Sequence, residues 1–293
     1  MSAKPQKFPV ATPEQLAAYK AAALALEEAP APWSTKDEAK RTELRALDLK
    51  LRQALRKAEE AMPLVAQASL TKTYGKHAVK VLTAHKFVTL VHVDRGEDQK
   101  ALKRFAILQE LPPLDKYAAL RDETFKTTLG SMLSDAFSMF SDLRDQLSDW
   151  YDNLPESFQG SDKGSTIESA RDAMEEASSA EFELAAPFDD LPYVHLPNEC
   201  SSRSDTCAEA ISILSEIESE LNDVAETLKE IAEMPEGEER DEAMPEWLFD
   251  FLRDRPETDK RTIADLAEEA EEKASECADI IGNAEGTEFP GMY

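Results

Sequence analysis

The sequence predicts a mainly α protein. Long amphipathic helices are expected in a helical bundle or coiled-coil-like arrangement, with at most a small β element near residues 86–94. Three observations carry this reading. Apolar residues recur at steps of three and four over long stretches, the spacing that lines one face of an α-helix. Only nine glycines occur in 293 residues, too few for a fold made of many tight turns or phosphate loops. One run, FVTLVHV at residues 87–93, concentrates β-branched residues and ends at Asp94-Arg95-Gly96.

The first helix is expected to start with Thr12 as N-cap, Pro13 at the first helical position and Gln15 completing a capping box. Leu16, Tyr19, Ala23 and Leu26 then share a face, and Ala29-Pro-Ala-Pro32 ends the helix. A second helix is expected from Ser34 or Thr35, with Leu44, Leu47, Leu51, Leu55, Ala58 and Met62 at helical spacing and Pro63 as its stop. These two read as an antiparallel hairpin. For residues 72–96, strand and helix both remain open, because a single strand needs a partner that the pattern does not supply. A helix is expected over 97–110 through Leu102, Phe105, Ile107 and Leu108.

A long helix follows over 115–153, with Gly130 as a point of interruption. Its seam is Phe125, Leu129, Met132, Ala136, Phe140, Leu143, Leu147, Trp150 and Leu154, and Leu133, Phe137 and Met139 widen it to the stripe of a bundle. A capping box at Ser165–Glu168 opens a helix to about 180, and one at Thr206–Glu209 opens another through Ile211, Leu214, Ile217, Leu221, Val224, Leu228 and Ile231. Residues 234–246 read as an exposed linker, and a last helix spans 260–282. The chain thus divides into a neutral-to-basic helical region (1–111), a central helical region (112–184), an irregular linker (185–205) and an acidic helical region (206–293).

Charge is segregated. Residues 1–130 hold 22 Lys/Arg against 16 Asp/Glu, a net of +6. Residues 131–293 hold 11 against 44, a net of −33, and the whole chain carries −27. Such a balance favours solubility and repels nucleic acid and anionic membranes, so neither is an expected direct partner. Three cysteines, Cys200, Cys207 and Cys277, argue against a disulfide framework and for a reducing, cytoplasmic setting. The basic start MSAKPQKFPV lacks the apolar run of a signal peptide. No stretch approaches the ~20 apolar residues of a membrane span.

No nucleotide-binding glycine loop, zinc-protease helix, nucleophile elbow or paired C-x-x-C occurs, so no catalytic residue and no cofactor is assigned. His77, His85 and His92 stand eight and seven residues apart, and His195 lies near Cys200 and Cys207. Neither set has a known metal spacing, and packing or solvated roles fit them better. The lysines from Lys72 to Lys86 form a mild basic patch, read first as solvated surface. The acids Glu268, Glu269, Glu271 and Glu272 read as a solvated helix face. Trp150-Tyr151 and Trp247 are either aromatics tucked over a bundle end or anchors inside an acidic rim.

The leading expectation is a non-enzymatic interaction or assembly protein that uses its acidic amphipathic helices. Its partner would be a protein with a basic surface, or a second copy. Trp150, Tyr151, Glu216, Glu220, Asp223 and Trp247 are the candidate contact residues. A DNA mimic that occupies a nucleic-acid-binding protein is the alternative. A helical enzyme using carboxylates and a metal ranks third.

Overall fold

Thr12 opens the first helix as the spacing predicts. Its hydroxyl accepts from the Gln15 N–H at 3.3 Å, the Gln15 carbonyl oxygen accepts from the Thr12 N–H at 2.9 Å, and Pro13 occupies the first turn. The structure, a computed structural model, describes residues 8–95 and 101–290. The chain divides into two compact units, Met1–Thr124 and Phe125–Tyr293. The first carries 21 Lys/Arg and 16 Asp/Glu, and the second 12 and 44, so the charge step of the sequence nearly coincides with the unit boundary.

In the first unit, α1 (Pro13–Glu28) and α2 (Glu38–Glu60) form the expected antiparallel hairpin, and the Gln15 amide donates to the Ala61 carbonyl at its base. Asp37, rather than Ser34 or Thr35, caps α2, accepting from the N–H groups of Ala39 and Lys40. Pro32–Ser34 forms a 3₁₀ turn in which the Ser34 hydroxyl is turned back onto Ala31, so that serine is not free to cap. The chain continues through β1 (Leu64–Ala66), α3 (Gln67–Tyr74), α4 (Ala78–Ala84), β2 (Val88–Arg95), β3 (Ala101–Ile107) and α5 (Leu114–Thr124).

The expected β element near 86–94 is β2. Its partner lies where a helix over 97–110 was expected. β3 is the middle strand of an antiparallel sheet ordered β1-β3-β2, with Phe105 facing Val65 on one side and Leu90 on the other. Phe105, Ala106 and Ile107 are all buried. A central strand covered on both faces has no alternation to reveal it, and its run of apolar residues resembles a helix stripe. Leu70, Ala78, Val81, Leu82 and Val88 complete this core.

In the second unit, β4 (Lys126–Thr128) leads into α6 (Leu129–Asp152). The helix expected over 115–153 is therefore two helices with a strand between them. Thr127 and Thr128 favour extended backbone, and the Thr128 hydroxyl caps α6 by accepting from the Ser131 N–H at 3.2 Å. The interruption expected at Gly130 lies a few residues earlier, at 126–128, where the three-four seam runs through Phe125 and Leu129 without a gap. Next come α7 (Glu156–Gln159) and α8 (Asp162–Ser178), capped by Ser161 rather than Ser165. A Cβ on Gly164 would strike the Gln159 carbonyl, so the tight α7–α8 turn requires glycine there.

Residues 185–202 are irregular except for β5 (Pro192–Val194), which pairs antiparallel with β4, and they are anchored by buried Phe188 and Leu191; residues 203–205 of the expected linker are already helical. α9 (Arg203–Glu233) is capped by Ser202, four residues before the expected cap Thr206, because Asp205 offers its N–H to that hydroxyl at 3.1 Å. The stretch 234–246 carries a short exposed helix, α10 (Glu238–Ala243), and α11 (Glu246–Asp254) follows. α12 (Ile263–Ala284) starts in a Thr262–Asp265 capping box. It runs antiparallel to α9: Lys229 pairs with Glu271, while Glu218, earlier on α9, lies by Cys277, later on α12. One continuous core unites α6, α8, α9 and α12: Phe140, Leu143, Leu147, Ile167, Met174, Ile217, Leu221, Leu228, Leu266 and Cys277 are all fully buried. No helix among the described residues is long and apolar enough to cross a membrane.

Candidate functional site

The packing of α9 decides which of its acids face outward. Its buried seam runs Ala210, Leu214, Ile217, Leu221, Val224, Leu228 and Ile231. Asp223, Glu226, Glu230 and Glu233 are exposed at steps of three, four and three, so they form one carboxylate stripe on the opposite side. α12 repeats the device. Asp265, Glu268, Glu272 and Asp279 are exposed opposite Ile263, Leu266, Ala270 and Ala274. These two helices carry three cations, and all three are engaged. Arg203 lies over the Trp150 ring, Lys229 pairs with Glu271, and Lys273 pairs with Glu276.

The sequence-predicted acids sit at the edge of this surface and differ in role. Glu216 is turned inward, its Oε2 2.9 Å from Nδ1 of His195. Glu220 is half-buried, and its pKa is raised by burial first and by Asp223 second. Asp223 is exposed. Burial, then Glu216 and Glu220, push the phenol of Tyr193 above its ordinary range, which places both acids beside β5. The three acids therefore lie in sequence along one side of α9, and Asp223 is the one that joins the open stripe.

Glu209 is a residue the sequence reading passed over except as a cap. Its side chain is 1% exposed and accepts from the N–H and the Nδ2 of Asn198. Nε2 of His195 stands 3.3 Å from the same carboxylate. A signal existed: Glu209 falls four residues before buried Ile213, in the apolar phase of the helix. His195 thus hydrogen-bonds Glu216 through Nδ1 and lies against Glu209, and the chain after β5 is bound to α9. Cys200 is exposed while Cys207 is buried, and no cluster of His, Cys, Asp or Glu that could hold a metal occurs among the described residues.

The aromatic candidates are occupied within the unit. Lys163 and Arg203 lie 4.9 Å and 4.7 Å from the Trp150 ring, and Arg171 lies 5.7 Å from Tyr151. Trp150 thus packs partly against the core with both cations over its ring, one of them from the start of α9. Trp247 is half-buried against the core on α11, in the connection that leaves the other end of α9. Over 31 residues at ~1.5 Å each the two ends lie roughly 46 Å apart, so the tryptophans do not make one site. His85 is fixed in the first unit, its Nε2 3.0 Å from the Thr124 hydroxyl and 3.2 Å from the Leu120 carbonyl. The side chain of His92 lies outside the described residues.

An open groove of about 740 Å³ runs along the first half of α6. Leu133, Phe137 and Phe182 form its apolar part, and Ser134, Ser138 and Ser141 form a hydroxyl row. No histidine or cysteine lines it. No family model, no curated protein and no solved structure matches this chain.

Proposed function

We propose that this chain is a non-enzymatic, cytoplasmic protein–protein interaction protein whose acidic helical unit binds a partner with a basic surface. The observation that carries the reading is the pair of outward carboxylate stripes on α9 and α12, borne on helices whose apolar faces are fully used inside. A stiff, antiparallel, coiled-coil-like pair holds these charges in fixed register, whereas a disordered acidic tail could not. Fixed like charge steers a complementary partner and rejects acidic ones. The few cations on these helices are already bound, so the stripes offer one sign of charge.

The test is affinity capture from the native cell with the protein and with a variant carrying Asp223→Lys, Glu226→Lys and Glu230→Lys. Glu216 and Glu220 are left untouched, because reversing them would disrupt the His195 contact or strand a half-buried charge. A basic partner that is retained by the protein, released by salt and lost in the variant is the expected result. Equal retention by both would sink the proposal. A nucleic-acid-binding protein as that partner, displaced by duplex DNA, would make the acidic surface a DNA mimic.

A further inference from the structure

A predominantly apolar helix ordinarily buries a face. α1 has ten Ala, Leu or Tyr among its sixteen residues, and yet none of its residues is buried within the chain. One face is half-covered: Leu16 and Tyr19 pack against the small cluster of Ala11, Met62, Val91 and Ala106. The opposite face presents Ala17, Lys20, Ala21, Leu24 and Glu28 to solvent, with Leu24 at 53% exposure. At the tip of the same hairpin Trp33 is 82% exposed.

We propose that this outer face of α1 is a homodimer contact, formed with α1 of a second copy lying antiparallel across it on a two-fold axis at Leu24. The charges select that occupant and that direction. Lys20 and Glu28 stand one turn to either side of Leu24 on the same face. A two-fold axis through Leu24 exchanges the two sides, so Lys20 of one copy meets Glu28 of the other, and the pair occurs twice. A parallel arrangement sets Lys20 against Lys20 and Glu28 against Glu28. A partner of a single charge sign meets one like charge on this face, whereas a second copy meets none. Ala17 and Ala21 let the helices approach closely around the central leucines. Contact along one short helix lies at the small end of interface sizes, so the dimer is weak and depends on concentration. None of this relies on the acidic surface of the second unit.

The experiment is sedimentation equilibrium of the full chain over a range of concentrations, with circular dichroism confirming helix content in every variant. The protein is expected to associate reversibly as a dimer, and Leu24→Asp is expected to be monomeric throughout. Lys20→Glu and Glu28→Lys singly are expected to weaken the dimer by about tenfold, since each creates two like-charge contacts. The Lys20→Glu/Glu28→Lys double variant is expected to return to the unmutated affinity. A monomeric protein at all concentrations, a dimer unaffected by Leu24→Asp, or a double variant no better than the singles overturns the proposal.

Discussion

The carboxylate of Glu209 accepts two hydrogen bonds from one residue, the backbone N–H of Asn198 at 2.8 Å and its side-chain amide at 2.6 Å. With His195 also against Glu209 and Glu216, the irregular chain after β5 is fastened to α9 through a buried acid. Hydrogen bonds to a charged acceptor are worth about 1.5–3 kcal/mol each. Glu209→Ala is therefore expected to lower stability by about 2–4 kcal/mol in urea unfolding. Glu209→Gln keeps one acceptor and is expected to cost less. A change within about 0.5 kcal/mol for the alanine variant would show that the network adds nothing.

Trp150 has Lys163 and Arg203, two cations from different helices, over its ring. The ring links the start of α9 to α8. Partly exposed contacts of this kind contribute about 0.5–1 kcal/mol each, so Arg203→Ala is expected to cost about that much. In a double-mutant cycle with Trp150→Leu, most of the Arg203 effect should vanish, because its partner is gone. Independent, additive effects would show that the arginine acts elsewhere.

Most helices could be read from the sequence because their apolar phase is the phase of the core. The seam from Leu129 to Leu147 and that from Leu214 to Ile231 are buried as the spacing predicts. What stayed hidden was set by tertiary pairing. β3 looked helical because it is covered on both faces, and β4 was concealed because Phe125 and Leu129 keep helical spacing across it. The acidic surface was legible in part: Asp223, Glu268, Glu271 and Glu272 are exposed as expected, but the run of Glu226, Glu230 and Glu233 on α9 was not singled out. Periodicity alone did not show that Glu216 is tied to His195, because that histidine comes from an irregular segment twenty-one residues away. The sequence left Trp150 open between an aromatic tucked over a bundle end and an anchor, because the cations that lie over its ring, Lys163 and Arg203, come from other helices.

Arg261 holds Asp259 through its guanidinium and backbone N–H, and so lowers the Asp259 pKa from the usual 3.8 to about 2. The sign follows from linkage. A depressed carboxylate pKa contributes stability above the unfolded-state value, and that contribution is lost as pH falls through the folded-state value. The Asp259 pair is thus intact at neutral pH and fails between the ordinary aspartate range and about 2. Carboxyl NMR titration should give Asp259 a midpoint near 2, returning toward the ordinary value in Arg261→Gln. An unchanged midpoint in that variant would remove Arg261 as the cause.

Burial pushes the thiols of Cys207 and Cys277 up to about 11 and about 12. Cys200 is exposed, but its pKa is also raised, by partial desolvation and then by Glu209 and Asp205. The thiolate is the nucleophile, so all three should be sluggish at neutral pH. A thiol reagent is expected to label Cys200 slowly in the native protein and the other two only in denaturant. Rapid labelling of three thiols without denaturant would contradict the packing of α9 and α12.

The carboxylate stripe on α9 separates folding from function. Asp223, Glu226 and Glu230 point away from the core and cap nothing, and Glu230 lies in the last turn of the helix, where negative charge opposes the dipole. Their unit carries a large excess of acids, so each also adds to repulsion within the fold. Replacing all three with lysine is expected to leave thermal stability unchanged or to raise it, by about 0.3–1 kcal/mol per dipole-facing site at low salt. High salt should close that difference, since the gain comes from exposed charges. A variant that is more stable than the parent yet has lost its basic partner would show that the acids are kept for binding at a cost to the fold. A destabilised variant would mean that the stripe belongs to the scaffold, and loss of binding would then say nothing about recognition.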